Sequence, residues 1–188
     1  MTAAPKLSRI TVEDYLAGEL ESEIKHEYIA GEVYAMAGAA NVHNRIATNI
    51  TGALHAALRG KPCEAFNSDT KVRIQFPTHI RFYYPDAMVV CQPNPDDESF
   101  QDQPTVIVEV VSPSTRRTDE VEKKEAYLTI PSLSAYLLVY PERVVVYRRT
   151  DAGFVEEAYA GDDVIELPQL EISLPVEDIY ARVTRSDA

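Results

Sequence analysis

The segment PTVIVEVV, residues 104–111, constrains the fold more than any other stretch of the chain. Its apolar side chains do not alternate with polar ones, so a strand built from it is covered on both faces. Glu109 is the sole charge in the run, with Ile107 and Val111 on its own face and Val108 and Val110 on the other. A carboxylate placed there is costly unless a lysine, an arginine or a metal ion compensates it. Any fold for this chain must therefore bring a cation to the middle of a buried strand.

The flanking sequence divides into helices and strands. Thr11 with Asp14 resembles a capping box, so TVEDYLAGEL is expected to open as a helix. HEYIAGEVYAMA holds two short β-prone runs around Ala30-Gly31 and reads as a hairpin. Asn41 is placed as the N-cap of a helix carrying Val42, Ile46, Ile50, Ala53, Leu54, Ala57 and Leu58, with Gly60 ending it. CEAF and DTKVRIQF follow as strands, and HIRFYYPDAMVV and PTVIVEVV as two more. The polar, proline-bearing CQPNPDDESFQDQ between them reads as a flexible surface excursion. Ser114-Thr115 precede a charged helix, RRTDEVEKKEAYLTI, that stops before Pro131. SAYLLVY and RVVVYRR form a strand pair, and the tail alternates short β segments with turns before VEDIYARV closes as a helix. This order favours an α/β fold of the mixed α+β kind, a mixed sheet flanked by helices. We expect one domain over residues 1–188: helix and hairpin at 8–40, a core at 41–148, and C-terminal β segments with a short helix at 149–188.

Composition limits the function. A chain of 188 residues, 45% hydrophobic, buries a sizeable core. No apolar run approaches the roughly 20 residues that cross a bilayer, and MTAAPKLSRITVEDY lacks the signature of a secretion signal, so a cytoplasmic protein without membrane contact is expected. Cys63 and Cys91 stand alone, without a CxxC pair, and read as unpaired core residues in a reducing compartment. A net charge of −12 repels DNA as a whole and argues against tight nonspecific binding. It leaves room for a protein whose bound cations and one local basic face offset the rest. Arg116-Arg117, with Arg45, Arg59 and Lys61, form that face or else balance nearby acids. GxGxxG, P-loop and GxSxG motifs are missing, which leaves Ser112 a poor nucleophile. His43 and His55 are too far apart for a helical zinc pair.

Asp86 follows Pro85 in YYPDAMVV, and because proline cannot donate to a ladder the strand is an edge, is bulged, or begins there. Two acids on successive strands favour a shared cation. From the residues alone, a metal ion and a buried ion pair both remain open. The PD of YYPDAMVV followed by the EVV of PTVIVEVVSPST resembles the PD-(D/E)XK nuclease superfamily. More closely, KHEYIAGEVYAMAG, HNRI, SDTKVRI, YYPDAMVV, VIVEVVSPSTRRTDEVEKKEAY and IPSLSAYLLV, in that order, resemble the Uma-two family of restriction-endonuclease-like proteins. The resemblance implies a mixed sheet presenting two acids and a lysine around Mg²⁺, with Mn²⁺ as a substitute, and DNA as substrate.

One departure from the superfamily pattern is plain: Val111 stands where the ExK lysine belongs. The resemblance supplies a lysine from the following helix instead, at Lys123, with Lys124 as the alternative. Spacing independently turns Lys123 inward, since Ala126, Tyr127 and Ile130 lie three, four and seven residues on. Glu27 matches an auxiliary acid contributed from the N-terminal region, and Asp69 a structural position at a strand start. The leading expectation is a Mg²⁺-dependent DNA endonuclease with Asp86 and Glu109 as metal ligands, Lys123 as catalytic cation and Glu27 as extra acid. The alternatives are an inactive nuclease-fold module for binding or assembly, and a structural ion-pair core bridged by Lys123. Strand edges around Tyr136 to Tyr147 suggest a homodimer.

Overall fold

The protein is described here from a computed structural model covering residues 9–183. In chain order the elements are α1 (Val12–Glu21), β1 (His26–Ile29), β2 (Glu32–Ala35), α2 (Asn41–Ala57), β3 (Glu64–Asn67), β4 (Lys71–Gln75) and β5 (Ile80–Tyr83). They continue as β6 (Ala87–Val90), β7 (Phe100–Gln101), β8 (Pro104–Val110), a π-helical segment (Thr118–Lys123) that runs into α3 (Lys124–Tyr127), and β9 (Ala135–Val139). The chain closes with β10 (Val144–Thr150), β11 (Gly153–Tyr159), β12 (Val164–Leu167), β13 (Ile172–Pro175) and α4 (Val176–Ile179).

A six-stranded sheet in the order β11-β10-β9-β8-β6-β3 forms the centre. Its β8 and β9 run parallel while the other neighbours are antiparallel, so the sheet is mixed. The two-residue period of a strand sends alternate side chains to opposite faces. Val106, Val108 and Val110 of β8, with Leu137 and Val139 of β9, pack on Ile46, Ile50 and Leu54 of α2. Ile107, Val111, Tyr136 and Leu138 point the other way, against Tyr127 and Ile130 and against Val72, Ile74 and Tyr83 of a second sheet. That second sheet has the order β2-β1-β5-β4-β7. Its outer face is closed by α1, where Tyr15 packs with Tyr28, Phe82 and Phe100. The expectation of a β8 covered on both faces is met by these layers.

Local chemistry explains most element boundaries. Thr11 Oγ1 accepts the Asp14 N–H at 3.1 Å and caps α1. The β1–β2 hairpin turns through Ala30 and Gly31, both with positive φ, 53° and 98°. Such a primed turn matches the twist of the paired strands. A Cβ at Gly31 would also come within 2.6 Å of the Arg9 side chain, so only glycine fits without a shift.

Several expectations need correction. Asn41 is the first helical residue of α2, not its cap; Ala40 holds the cap position and offers no side-chain acceptor. HIRFYYPDAMVV is two strands in different sheets, because the chain leaves β5 at Tyr84-Pro85 and enters β6 beyond Asp86. The polar excursion is fastened down: Arg73 grips Asp102 through Nε and Nη2, both at 2.7 Å, and β7 adds to β4. Cys63 and Cys91 are not free thiols but form a disulfide. Glu64 pairs with Val90 in the β3–β6 ladder, so the next residues outward, Cys63 and Cys91, fall opposite one another. Tyr136 and Tyr147 do not lie on a sheet edge, since β9 and β10 have neighbours on both sides. The charged helix after Ser114-Thr115 is π-helical over Thr118–Lys123 rather than a continuous α-helix.

Candidate active site

Asp86 and Glu109 meet through strand register. In the β6–β8 ladder Ala87 lies opposite Val108, and one residue further Asp86 comes opposite Glu109. The Val110 N–H donates to Asp86 Oδ2 at 2.7 Å, which fixes a carboxylate just outside the ladder that Pro85 cannot extend. His43, in the first turn of α2, sets Nε2 3.3 Å from the same oxygen. Glu109 is only 4% exposed. Its Oε1 accepts from Lys123 Nζ at 3.1 Å and from Tyr127 Oη at 2.8 Å.

Lys123 is the centre of the cluster. Its Nζ lies 2.9 Å from Glu27 Oε1, 3.1 Å from Glu109 Oε1 and 3.8 Å from Asp119 Oδ1. The π-helical segment widens the turn before α3, and both Asp119 and Lys123 are buried on its inner side. Lys123 and Tyr127, four residues apart, then reach one oxygen of Glu109. Lys124 turns away, with its Nζ 4.7 Å from the centre of the Tyr147 ring. The lysine brought to the acids is therefore Lys123. Glu27 arrives from β1; its Oε1 is buried and, although close to Lys123, is not aligned for a hydrogen bond.

All four expected site residues, Glu27, Asp86, Glu109 and Lys123, line one cleft of about 880 Å³. Asp119 and His43 line it as well. The reading of the sequence missed Asp119, which sits four residues before Lys123 in a stretch whose alternating charges look like a solvated helix face. Tyr127 was legible as part of an apolar stripe but not as a hydrogen-bond donor. Three of the basic residues expected to contact phosphate have partners of their own, while Arg59 and Arg117 are exposed. Arg116 pairs with Glu120, Lys61 with Glu171, and Arg45 donates to the Arg182 carbonyl. Asp69 is structural as expected, paired with Lys25 in the turn before β4.

Charge in the cleft is unbalanced. Glu27, Glu109 and Asp119 surround the Lys123 ammonium and Asp86 pairs with the His43 imidazole, while Lys25, also lining the cleft, pairs with Asp69. Burial, opposed by Lys123 and reinforced by Asp119, Asp86 and Glu27, raises the Glu109 carboxyl well above its ordinary 4.5. Asp119 is raised too, chiefly by burial, with Lys123 acting against the shift. For Lys123, burial favours the neutral amine, but Glu109, Glu27 and Asp119 outweigh it and hold the group charged. The hydrogen bond to Asp86 raises His43 above 6.5 against the opposing effect of burial.

These residues fit a hard divalent cation. Carboxylate oxygens are the ligands such ions prefer, and the buried Glu27 Oε1 lacks a hydrogen-bond donor. Among the described residues, no three His, Cys, Asp or Glu side chains converge closely enough to enclose an ion unaided. The set suits Mg²⁺, which keeps several waters and takes one or two carboxylates with substrate phosphate oxygens completing its shell.

The mixed sheet flanked by helices is a restriction-endonuclease-like fold, and its cleft brings two acids on neighbouring strands together with a lysine from the next helix. The profile of the Uma2 family, described as "Putative restriction endonuclease", matches residues 12–177, and the chain belongs to that family. It is 36% identical to an uncharacterized protein of Synechocystis sp. over 181 residues, 94% of this chain and 92% of the relative. A second uncharacterized Synechocystis protein is 35% identical over 133 residues, 69% of this chain and 74% of that one. A crystal structure titled as a putative nuclease belonging to DUF820, from Anabaena variabilis, shares the fold with a TM-score of 0.68. At 18% identity it covers 85% of this chain and 92% of its own. Among the described residues no helix is long and apolar enough to cross a membrane.

Proposed function

We propose that the chain is a divalent-metal-dependent endonuclease that hydrolyses phosphodiester bonds of DNA, with Asp86 and Glu109 holding Mg²⁺ or, as a substitute, Mn²⁺. The observation that carries this reading is the excess of acids in the cluster: Glu109 and Asp119 are buried, Glu27 and Asp86 are half-buried beside them, and the groups paired with all four are Lys123 and His43. Buried charge left unpaired costs several kcal/mol, roughly, and a bound divalent cation removes that cost. When bound, such an ion supplies Lewis-acid polarisation of the phosphoryl group and makes water acidic enough to attack near neutral pH.

The chain's own residues do the rest. The Val110 N–H and His43 Nε2 orient Asp86, and the Tyr127 hydroxyl and Lys123 ammonium orient Glu109. Lys123 takes the role that Val111 cannot, steadying the attacking water or the negative charge that develops on phosphate. Glu27, across Lys123 from Glu109, is the auxiliary acid positioned to accept a proton from that water.

The test is incubation of the purified protein with supercoiled plasmid in Mg²⁺ or Mn²⁺ and in chelator. Chelator-sensitive nicking that disappears in Asp86→Ala supports the proposal. Intact plasmid and intact oligonucleotides under every condition refute it and leave a binding module on a nuclease fold. A homodimer remains compatible with this reading, but its surface is not β9 or β10.

A further inference from the structure

Part of the cleft wall is apolar and open. Tyr34 is 48% exposed, Ile24 56% and Val42 51%, and all three line the cleft that holds Asp86 and Glu109. Such side chains are ordinary when scattered; gathered at one mouth they form a patch. Register explains Tyr34, which lies opposite Glu27 in the β1–β2 ladder, so ring and carboxylate leave the same face of the hairpin. Its hydroxyl donates to Glu32, which tethers the ring in place. From Ala37 to Ala40 the rim carries no large side chain, and a Cβ at Gly38 would meet nothing within 4 Å.

The cations of this cleft are engaged. Lys123 is held by Glu27, Glu109 and Asp119, and Lys25 pairs with Asp69 and donates to the Ser68 carbonyl. Among the described residues that line the cleft, no lysine or arginine is left over to meet a phosphate. A duplex is held chiefly through its phosphates, which lysines and arginines neutralise. A single strand can instead be held by stacking its bases on aromatic rings, which needs fewer charges.

We infer that the cleft takes an unpaired nucleotide of single-stranded DNA, its base stacked on Tyr34 beside Ile24 and Val42 and its phosphate directed at the divalent cation that Asp86 and Glu109 would hold. This rests on the nuclease reading above and narrows its substrate from DNA in general to single strands and frayed ends. Duplex DNA is disfavoured, because a paired base cannot reach Tyr34 and the acidic surface offers its backbone little.

The experiment measures anisotropy of labelled phosphorothioate oligonucleotides, single-stranded and duplex, with the full chain in Mn²⁺. A 2-aminopurine in the single strand reports stacking by quenching. Single strand is expected to bind at least about tenfold tighter than duplex. Tyr34→Ala is expected to weaken it about 5- to 150-fold, the equivalent of one stacked base, and Tyr34→Phe to retain it. The slope of log affinity against log salt is expected to be shallower than about −2, given about −0.7 per phosphate. Equal duplex affinity, or an unchanged Tyr34→Ala, overturns the inference. A chain whose dimer dissociates in Tyr34→Ala while oligonucleotide binding persists also overturns it, assigning the patch to a second copy. Mg²⁺-dependent cutting of duplex as fast as single strand sinks this inference and leaves the nuclease reading standing. Tyr34-dependent binding without any cleavage does the reverse.

Discussion

Replacing Lys123 with methionine removes the ammonium at the centre of the acidic cluster while keeping most of the side-chain volume. The metal-free protein, held in chelator, then carries Glu27, Glu109 and Asp119 with no lysine among them. Removing one partner of a buried pair costs about 3–5 kcal/mol. For a chain of this size each kcal/mol lowers Tm by about 2–4 °C, so the expected loss is about 6–20 °C. The loss should depend on pH in a definite sense. Glu109 is already raised well above 4.5, and an acid with a raised folded pKa destabilises the fold progressively as pH climbs through that interval. Losing Lys123 raises it further, so the variant should be least stable at alkaline pH and recover as pH falls toward 4.5. Adding Glu109→Gln should restore more than half of the loss at pH 8. Thermal melts followed by circular dichroism between pH 5 and 9 measure all of this. A Tm within about 2 °C of the parent at pH 8, or a loss that does not change with pH, would refute the reasoning.

Other expectations follow from the same structure. His43 is raised above 6.5 by Asp86, so the stability it contributes is fully present below that value and fades as pH rises through the higher folded pKa; His43→Asn should cost more at pH 6 than at pH 9 in chelated melts. Leu54, fully buried beneath the six-stranded sheet, should lose about 2–5 kcal/mol as alanine, read from denaturant midpoints with an unchanged slope. The disulfide spans 28 residues, and Cys63→Ser with Cys91→Ser should cost about 3–4 kcal/mol against the oxidised parent. Gly31→Val should cost about 1–3 kcal/mol, because its φ of 98° and its approach to Arg9 both exclude a branched side chain.

The parts of the fold visible in the sequence were those with a strong local signature. PTVIVEVV could only be an interior strand, and the helical spacing of Ile46, Ile50, Leu54 and Leu58 could only be a buried stripe. What stayed hidden depends on contacts between distant segments. Nothing local shows that Tyr84-Pro85 carries the chain from one sheet to the other, or that Cys63 and Cys91 are adjacent across two strands. The same holds for the site. Asp86 and Glu109 were conspicuous as acids in apolar strands, and Lys123 as a charge on an apolar stripe. Asp119 was not, although it lies four residues before Lys123, because the charges around it in RRTDEVEKKE look like a solvated helix face. Tyr34 was invisible as a cleft residue because its place there comes from lying opposite Glu27.

The excess of acids around Lys123 and His43 is assigned to a divalent cation. Isothermal calorimetry of Mn²⁺ and Mg²⁺ into the chelator-treated protein, repeated with Glu109→Gln and Asp86→Asn, tests it most directly. Binding is expected in the parent and is expected to be lost in both variants while each remains folded by circular dichroism. Equal binding in all three proteins, or no binding in the parent, would contradict it and leave Lys123 as the bridge of a purely structural ion-pair cluster.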